Sequence, residues 1–236
     1  MACLVTPVQA RQTLENTGKL CRSAIDAEER RSRIPKQLLA AIASVESGRW
    51  DKATRANIAW PWTVTSEGKG KFYPTRHAAI RAVEALRRRG VSNIDVGCMQ
   101  INLAYHPDAF ETLHEAFEPA ANVAYAAEFL TLLRKQKRGW QHAVRFYHSS
   151  DPKRQRYYSN KVYKARHEIR AHEVRQRRQQ QLATAQQRRD RAAPSSKTAN
   201  SGNSTKPFTI WRPRSYREQR RLENRARNWA LSIKRR

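Results

Sequence analysis

Apolar positions recur at helical spacing through most of the first 165 residues. The clearest run is Ile34–Val45, where Leu38, Ile42 and Val45 share a face and Leu39 lies beside them. The pattern predicts helices over 9–31, 35–47, 76–89, 107–116, 119–137, 139–148 and 153–190. Pro35, Pro107 and Pro119 suit helix starts, and Gly48, Gly90 and Gly139 suit the breaks. Residues 49–75 read as a loop region holding Trp50, Trp60 and Trp62, with a short hairpin around Lys71-Phe72-Tyr73 as its only strand signal. The expected class is therefore all-α. Residues 193–206 have the composition of a flexible linker, and 207–236 form an Arg-rich tail carrying Phe208, Trp211, Trp229 and Ile233.

Charge divides the chain. Of its 236 residues, 47 are Lys or Arg and 20 are Asp or Glu, a net charge of +27. Residues 1–164 hold 27 basic and 15 acidic groups, whereas 165–236 hold 20 and 5. The front has the apolar content for a core, and the back does not. This gives an N-terminal segment 1–17, a catalytic domain 18–165, a long basic helical extension 166–192 and a linker with disordered tail 193–236. Such charge implies a polyanionic partner: nucleic acid, an anionic membrane surface or an acidic wall polymer. No stretch reaches the roughly 20 apolar residues of a membrane-spanning helix.

Val8-Gln9-Ala10 resembles the small-residue end of a signal peptide, but a charged n-region and a full apolar segment are missing. Either the start lies inside a longer reading frame, or the similarity is chance. The three cysteines, Cys3, Cys21 and Cys98, show no metal-ligand spacing. In an exported protein Cys21 and Cys98 could pair, and in the cytosol all three would be reduced thiols. His77, His106, His114, His142 and His148 also lack ligand spacing, so neither a metal nor a cofactor is expected.

Glu46 ends the Ile34–Val45 run and is followed by Ser47-Gly48. A carboxylate in a last helical turn faces the negative end of the helix dipole, and partial burial beside Val45 would raise its pKa further. Such a glutamic acid stays protonated near neutral pH and can donate a proton, although Glu46 taken alone reads first as a solvated residue at a helix end. Three other segments stand out: Gly97-Cys98-Met99-Gln100-Ile101-Asn102, Asn122–Leu130, and Ala143-Val144-Arg145-Phe146-Tyr147-His148-Ser149-Ser150. Singly, they read as a buried turn, a core face and a helix end.

Together and in this order they resemble the soluble lytic transglycosylase (SLT) domain family, over roughly residues 18–165. The resemblance implies a lysozyme-like helical fold, an exported or periplasmic bacterial enzyme, and peptidoglycan glycan strands as substrate. It implies that Glu46 is the single acid/base and that the Ser47 hydroxyl holds substrate or the carboxyl. Met99 and Gln100 would line the groove opposite the glutamate, Asn122 would support the helix array, and the Tyr147 hydroxyl would approach the carboxyl. His148 and Ser150 stand where the family usually has Asn and Gly, and Ala126 where it has Gly. The gap from Glu46 to Gly97 holds 50 residues, longer than usual, so Trp60-Pro61-Trp62-Thr63 and helix 76–89 read as an elaboration beside the groove. Trp62 would stack on sugar; the alternative is that Trp60 and Trp62 only pack the loop. A Cys21–Cys98 disulfide would brace the groove, adding about 4 kcal/mol by chain entropy.

The family reaction is substrate-assisted cleavage of the β-1,4 bond between N-acetylmuramic acid and N-acetylglucosamine, leaving 1,6-anhydromuramyl ends. Its lack of a second carboxylate matters, because ordinary glycoside hydrolysis uses two. Asp51, Glu67 and Asp95 are the available second acids, with Asp95 read as a turn or structural residue. A hydrolytic muramidase on the same fold is the first rival. A basic nucleic-acid-binding protein is the second, but the tail lacks any recognised nucleic-acid-binding signature. A basic tail could equally contact an anionic envelope polymer or a protein partner. A binding-only groove is the third, opposed by the intact Glu46-Ser47 pair.

Overall fold

The structure, a computed structural model, describes residues 7–52 and 54–192. The chain divides into units Met1–Gln187 and Arg188–Arg236, and of the second only 188–192 is described. Cys3, the linker and the Arg-rich tail lie outside the described residues.

Seven helices are present among the described residues: α1 (Pro7–Arg31), α2 (Leu38–Glu46), α3 (Arg76–Arg88), α4 (Leu113–Ala116), α5 (Pro119–Lys137), α6 (Trp140–His148) and α7 (Pro152–Ala192). Helix α2 is at the centre. Leu38 to Ala43 are all buried, as expected of a short helix that is apolar on every side. Around it pack Cys21 and Ile25 of α1, Val123, Ala127 and Leu130 of α5, Ala143 and Val144 of α6, and Tyr158 and Val162 of α7.

Helix α2 starts at Leu38, not at Pro35 as the sequence suggests, because Gln37 takes a left-handed conformation (φ 66°). The exposed first N–H groups are met from another helix. The buried Glu29 carboxylate of α1 accepts from Gln37 N (2.7 Å), Leu39 N (2.9 Å) and Ala40 N (3.3 Å). A carboxylate is the favoured partner of a helix N-terminus, so this contact fixes the register of the helix that carries Glu46. Pro107 likewise opens no helix: only Leu113–Ala116 of the expected 107–116 is helical, capped by Thr112.

The all-α expectation needs correction. Between α2 and α4 the chain forms six short strands: β1 (Gly48–Asp51), β2 (Ala56–Ala59), β3 (Thr63–Ser66), β4 (Lys69–Phe72), β5 (Ile94–Val96) and β6 (Ile101–Asn102). β1 and β2 form an antiparallel hairpin, Gly48 opposite Ala59 and Asp51 opposite Ala56. The other four form an antiparallel sheet in the order β4-β3-β5-β6, with Val64 opposite Val96 and Asp95 opposite Asn102. None exceeds four residues, and β4 is exposed throughout, so no apolar alternation marks them. Val64, Val83, Ile94, Val96 and Phe117 form a separate apolar cluster beneath this sheet. Among the described residues no helix is long and apolar enough to cross a membrane.

Candidate active site

Glu46 is the last residue of α2, half-buried where the helix meets the hairpin β1–β2. Burial pushes its carboxyl from an ordinary 4.5 up to about 7. A hydrogen bond donated by the Tyr158 hydroxyl to Oε1 (2.5 Å) works against that rise, the nearby Asp95 carboxylate adds to it, and Lys161 opposes it. Tyr158 is itself held protonated, chiefly by burial, so it stays a donor. A carboxyl poised near 7 can give a proton in one step and take one in the next.

The hydroxyl that hydrogen-bonds the glutamate is that of Tyr158, while the buried Tyr147 hydroxyl lies close enough to feel the Glu46 charge without bonding to it. Tyr147 donates instead to the Met99 carbonyl (3.0 Å). Met99 is not a groove residue either: its side chain is fully buried in the central core, and only its backbone serves the site. Ser47 is also buried, and its hydroxyl donates to the Cys98 carbonyl (2.6 Å) and to Ala43 O (3.3 Å), touching neither the carboxyl nor open space. A short apolar turn has backbone groups to satisfy, and these polar side chains satisfy them.

The same logic explains Asn122. Fully buried at the start of α5, it accepts from Met99 N (2.9 Å) and donates to Val96 O and Ala116 O (both 3.0 Å). Gly97 lies against that carboxamide with φ +85°, and a Cβ there would overlap it. Gln100, at φ +50°, accepts from Thr65 Oγ1 (2.5 Å) and donates to Thr63 O (3.2 Å) and Gly97 O (3.0 Å). Gln100 thus ties the Gly97–Gln100 turn to β3. A disulfide joins Cys98 to Cys21 of α1 across 77 positions. All four motifs meet here: α2, the turn, α5 and α6.

Trp60 and Trp62 part company. Trp60 is buried and donates through Nε1 to Tyr73 O (2.7 Å), so it packs the strand-bearing excursion of residues 48–97. Trp62 is half-buried against the second apolar cluster, edge-on to Trp60 at 6.0 Å, with its indole nitrogen buried and unpartnered among the described residues.

Of the available second acids, Asp51 accepts from Thr54 N (2.9 Å) and Thr54 Oγ1 (2.5 Å), and Glu67 is exposed at the tip of β3–β4. Asp95 is the one that acts on Glu46 electrostatically. It accepts from Asn102 Nδ2 (2.8 Å), and burial raises its pKa, with His148 opposing. His148 stacks flat on the Tyr158 ring, 4.6 Å between centroids and 9° between planes. Burial lowers the pKa of His148. Tyr158, Asp95 and the stacked His148 are the site residues that motif reading missed or undervalued. The usable signal was the buried stripe Gln155, Tyr158, Ser159, Val162 on α7, at helical spacing beside an exposed Tyr157. No group of three or more His, Cys, Asp or Glu suited to a metal occurs among the described residues.

A family model for the transglycosylase SLT domain matches residues 23–169. No curated protein and no solved structure gives a significant match.

Proposed function

The chain belongs to the transglycosylase SLT domain family, a family of glycosidic-bond-cleaving enzymes acting on peptidoglycan, and on that premise we propose that it is a lytic transglycosylase with Glu46 as its single acid/base. The observation that carries this reading is a carboxyl raised to about 7 at the end of a buried helix and oriented by Tyr158. Protonated Glu46 donates to the glycosidic oxygen as the bond from the muramyl anomeric carbon breaks. The substrate's own N-acetyl group stabilises that carbon. Glu46, now a carboxylate, takes the proton of the muramyl C6 hydroxyl as its oxygen closes on the anomeric carbon. Both protons are accounted for, no water is consumed, and the product carries a 1,6-anhydromuramyl end.

Tyr158 stabilises the carboxylate between the two steps, and Gln100 and Trp62 form the excursion side of the groove. The disulfide supports export to an oxidising compartment. The catalytic domain, 18–165, would act on the glycan, while the basic extension 166–192 and tail 193–236 would hold an anionic envelope polymer or a partner protein.

Digestion of purified peptidoglycan with mass analysis of the fragments tests this. Anhydro ends from the wild type and none from Glu46→Gln are expected; near-normal turnover by that variant would sink the assignment. A second reading rests on Asp95, whose carboxylate acts on Glu46. If Asp95 served as the second acid of a hydrolase, the fragments would carry reducing ends.

A further inference from the structure

A groove of about 870 Å³ lies beside the proposed catalytic carboxyl but is not formed by it. Its floor is the small-residue face of α2 and its exit, Ala40, Ser44 and Gly48, spaced by four so that they share one side. One wall is α1, another is the hairpin β1–β2, and the third is a stripe of α7 running from Lys161 to Gln176. Fifteen helical steps make that stripe about 22 Å long, which suits an extended chain better than a compact molecule. The groove begins next to Glu46: Val45 lines it, and Lys161 acts on both the groove and the carboxyl.

The lining is uneven in charge. Arg55, Lys161, Lys164 and Arg175 have no ion-pair partner among the described residues and face one unpaired carboxylate, Glu168. The other acid, Glu173, is engaged by Arg22 (2.7 Å), Lys36 (3.7 Å) and Gln37. Trp50, 58% exposed, stands on the hairpin wall with its ring uncovered, although β1 otherwise sits against α2. A large exposed aromatic beside uncompensated cations is the signature of a surface that meets an amphipathic anion.

We propose that this groove is a second binding site, which takes the carboxylate-bearing peptide stem of the glycan strand. The inference rests on the glycan-cleaving reading. Peptidoglycan sugars are uncharged, and their negative charge sits on the free carboxylates of short peptides attached to every second sugar. A four-residue stem extends to about 14 Å, within the length of the α7 stripe. Arg55, Lys164 and Arg175 pair with its carboxylates, Trp50 packs on its aliphatic parts, and Lys161 stands at the junction with the reacting sugar. The enzyme would then prefer strands that still carry their stems.

The test compares glycan strands bearing tetrapeptide stems with the same strands stripped by an amidase, using the full chain. The wild type is expected to show a KM about tenfold lower on stem-bearing strands, as for two exposed ion pairs. That preference should collapse toward unity in K164E/R175E, with K164Q/R175Q between. Both side chains are exposed, so the fold tolerates the changes. Equal KM values for the two substrates in the wild type would overturn the proposal. So would a K164E/R175E defect of the same size on both, which would mark a general polyanion surface. Free tetrapeptide titrated into the protein, followed by tryptophan fluorescence with Trp50→Phe as control, decides the case independently of turnover. If neither strand is cleaved, the enzymatic reading fails, yet binding of the tetrapeptide that weakens in K164E/R175E still supports the site, and absence of binding removes it.

Discussion

Glu46→Gln should make the protein more stable, and increasingly so as pH rises into the range where the enzyme would work. The folded state holds the Glu46 proton up to about 7, whereas an exposed carboxyl releases it near 4.5. Folding therefore takes up a proton between these values. For a carboxyl raised in this way, stability is complete below 4.5 and is lost as pH rises through 7. Linkage puts the loss at about 1 kcal/mol at pH 5 and about 3 kcal/mol at pH 8. Glutamine has the same shape, carries no charge and can still accept from Tyr158, so it escapes that loss. Calorimetric melts should then place the variant about 6–12 °C above the wild type at pH 8 for about 3 kcal/mol, and within a few degrees at pH 5. An offset of equal size at both pH values would refute the reasoning, because packing differences do not depend on pH and the ionisation of Glu46 does.

Other perturbations separate the parts of the site. Tyr158→Phe removes a hydrogen bond that favours the carboxylate, so the alkaline limb of the pH–rate profile, where Glu46 loses its proton, should move up by about one pH unit or more; a limb that stays or moves down would exclude Tyr158 as the tuning group. Reducing Cys21–Cys98, or replacing both with serine, should cost about 4.5 kcal/mol for a loop of this length, read from denaturant midpoints with and without reductant. Gly97→Ala combines a left-handed backbone with overlap on Asn122, so a loss of about 2 kcal/mol or more is expected in thermal melts. Asn122→Ala leaves Met99 N, Val96 O and Ala116 O without their buried partner, and should lower both stability and peptidoglycan turnover.

The helices were legible because burial imposes their period: α5 begins at Pro119 and ends at Lys137, as the pattern requires. Glu46 was legible only through the ordered motifs that follow it, because a lone carboxylate at a helix end reads first as a solvated residue. What misled was the assumption that a residue in a catalytic motif meets the substrate. Ser47 holds the backbone of one turn, as Asn122 was expected to and does, and Met99 packs in the core; nothing in a linear spacing separates a side chain that faces a groove from one that holds it open. Tyr158 was hidden for the opposite reason. It lies on a helix whose other residues are mostly charged and exposed, so a single buried hydroxyl made little impression on the pattern. Of the strands only the hairpin at Lys71-Phe72 was anticipated, and it is β3–β4; the others were missed because two to four residues held by ladder hydrogen bonds leave too short a trace for alternation to show.

The hydrogen bond from Ser47 to the Cys98 carbonyl brings together the two ends of everything between them. Residues 48–97 leave the helical body and return to it at one spot, and they supply Val64, Val83, Ile94 and Val96 to the second apolar cluster, which Phe117 completes from beyond the excursion. The entropy of closing that circuit is met at the junction rather than along its length. The excursion is thus a cassette, plugged in beside a carboxyl that α2 and Glu29 position, and it reaches that carboxyl through Asp95, whose charge acts on Glu46. Evolution or an engineer that keeps Asp95 can lengthen, shorten or exchange the rest to change which strands are admitted, without redesigning the chemistry.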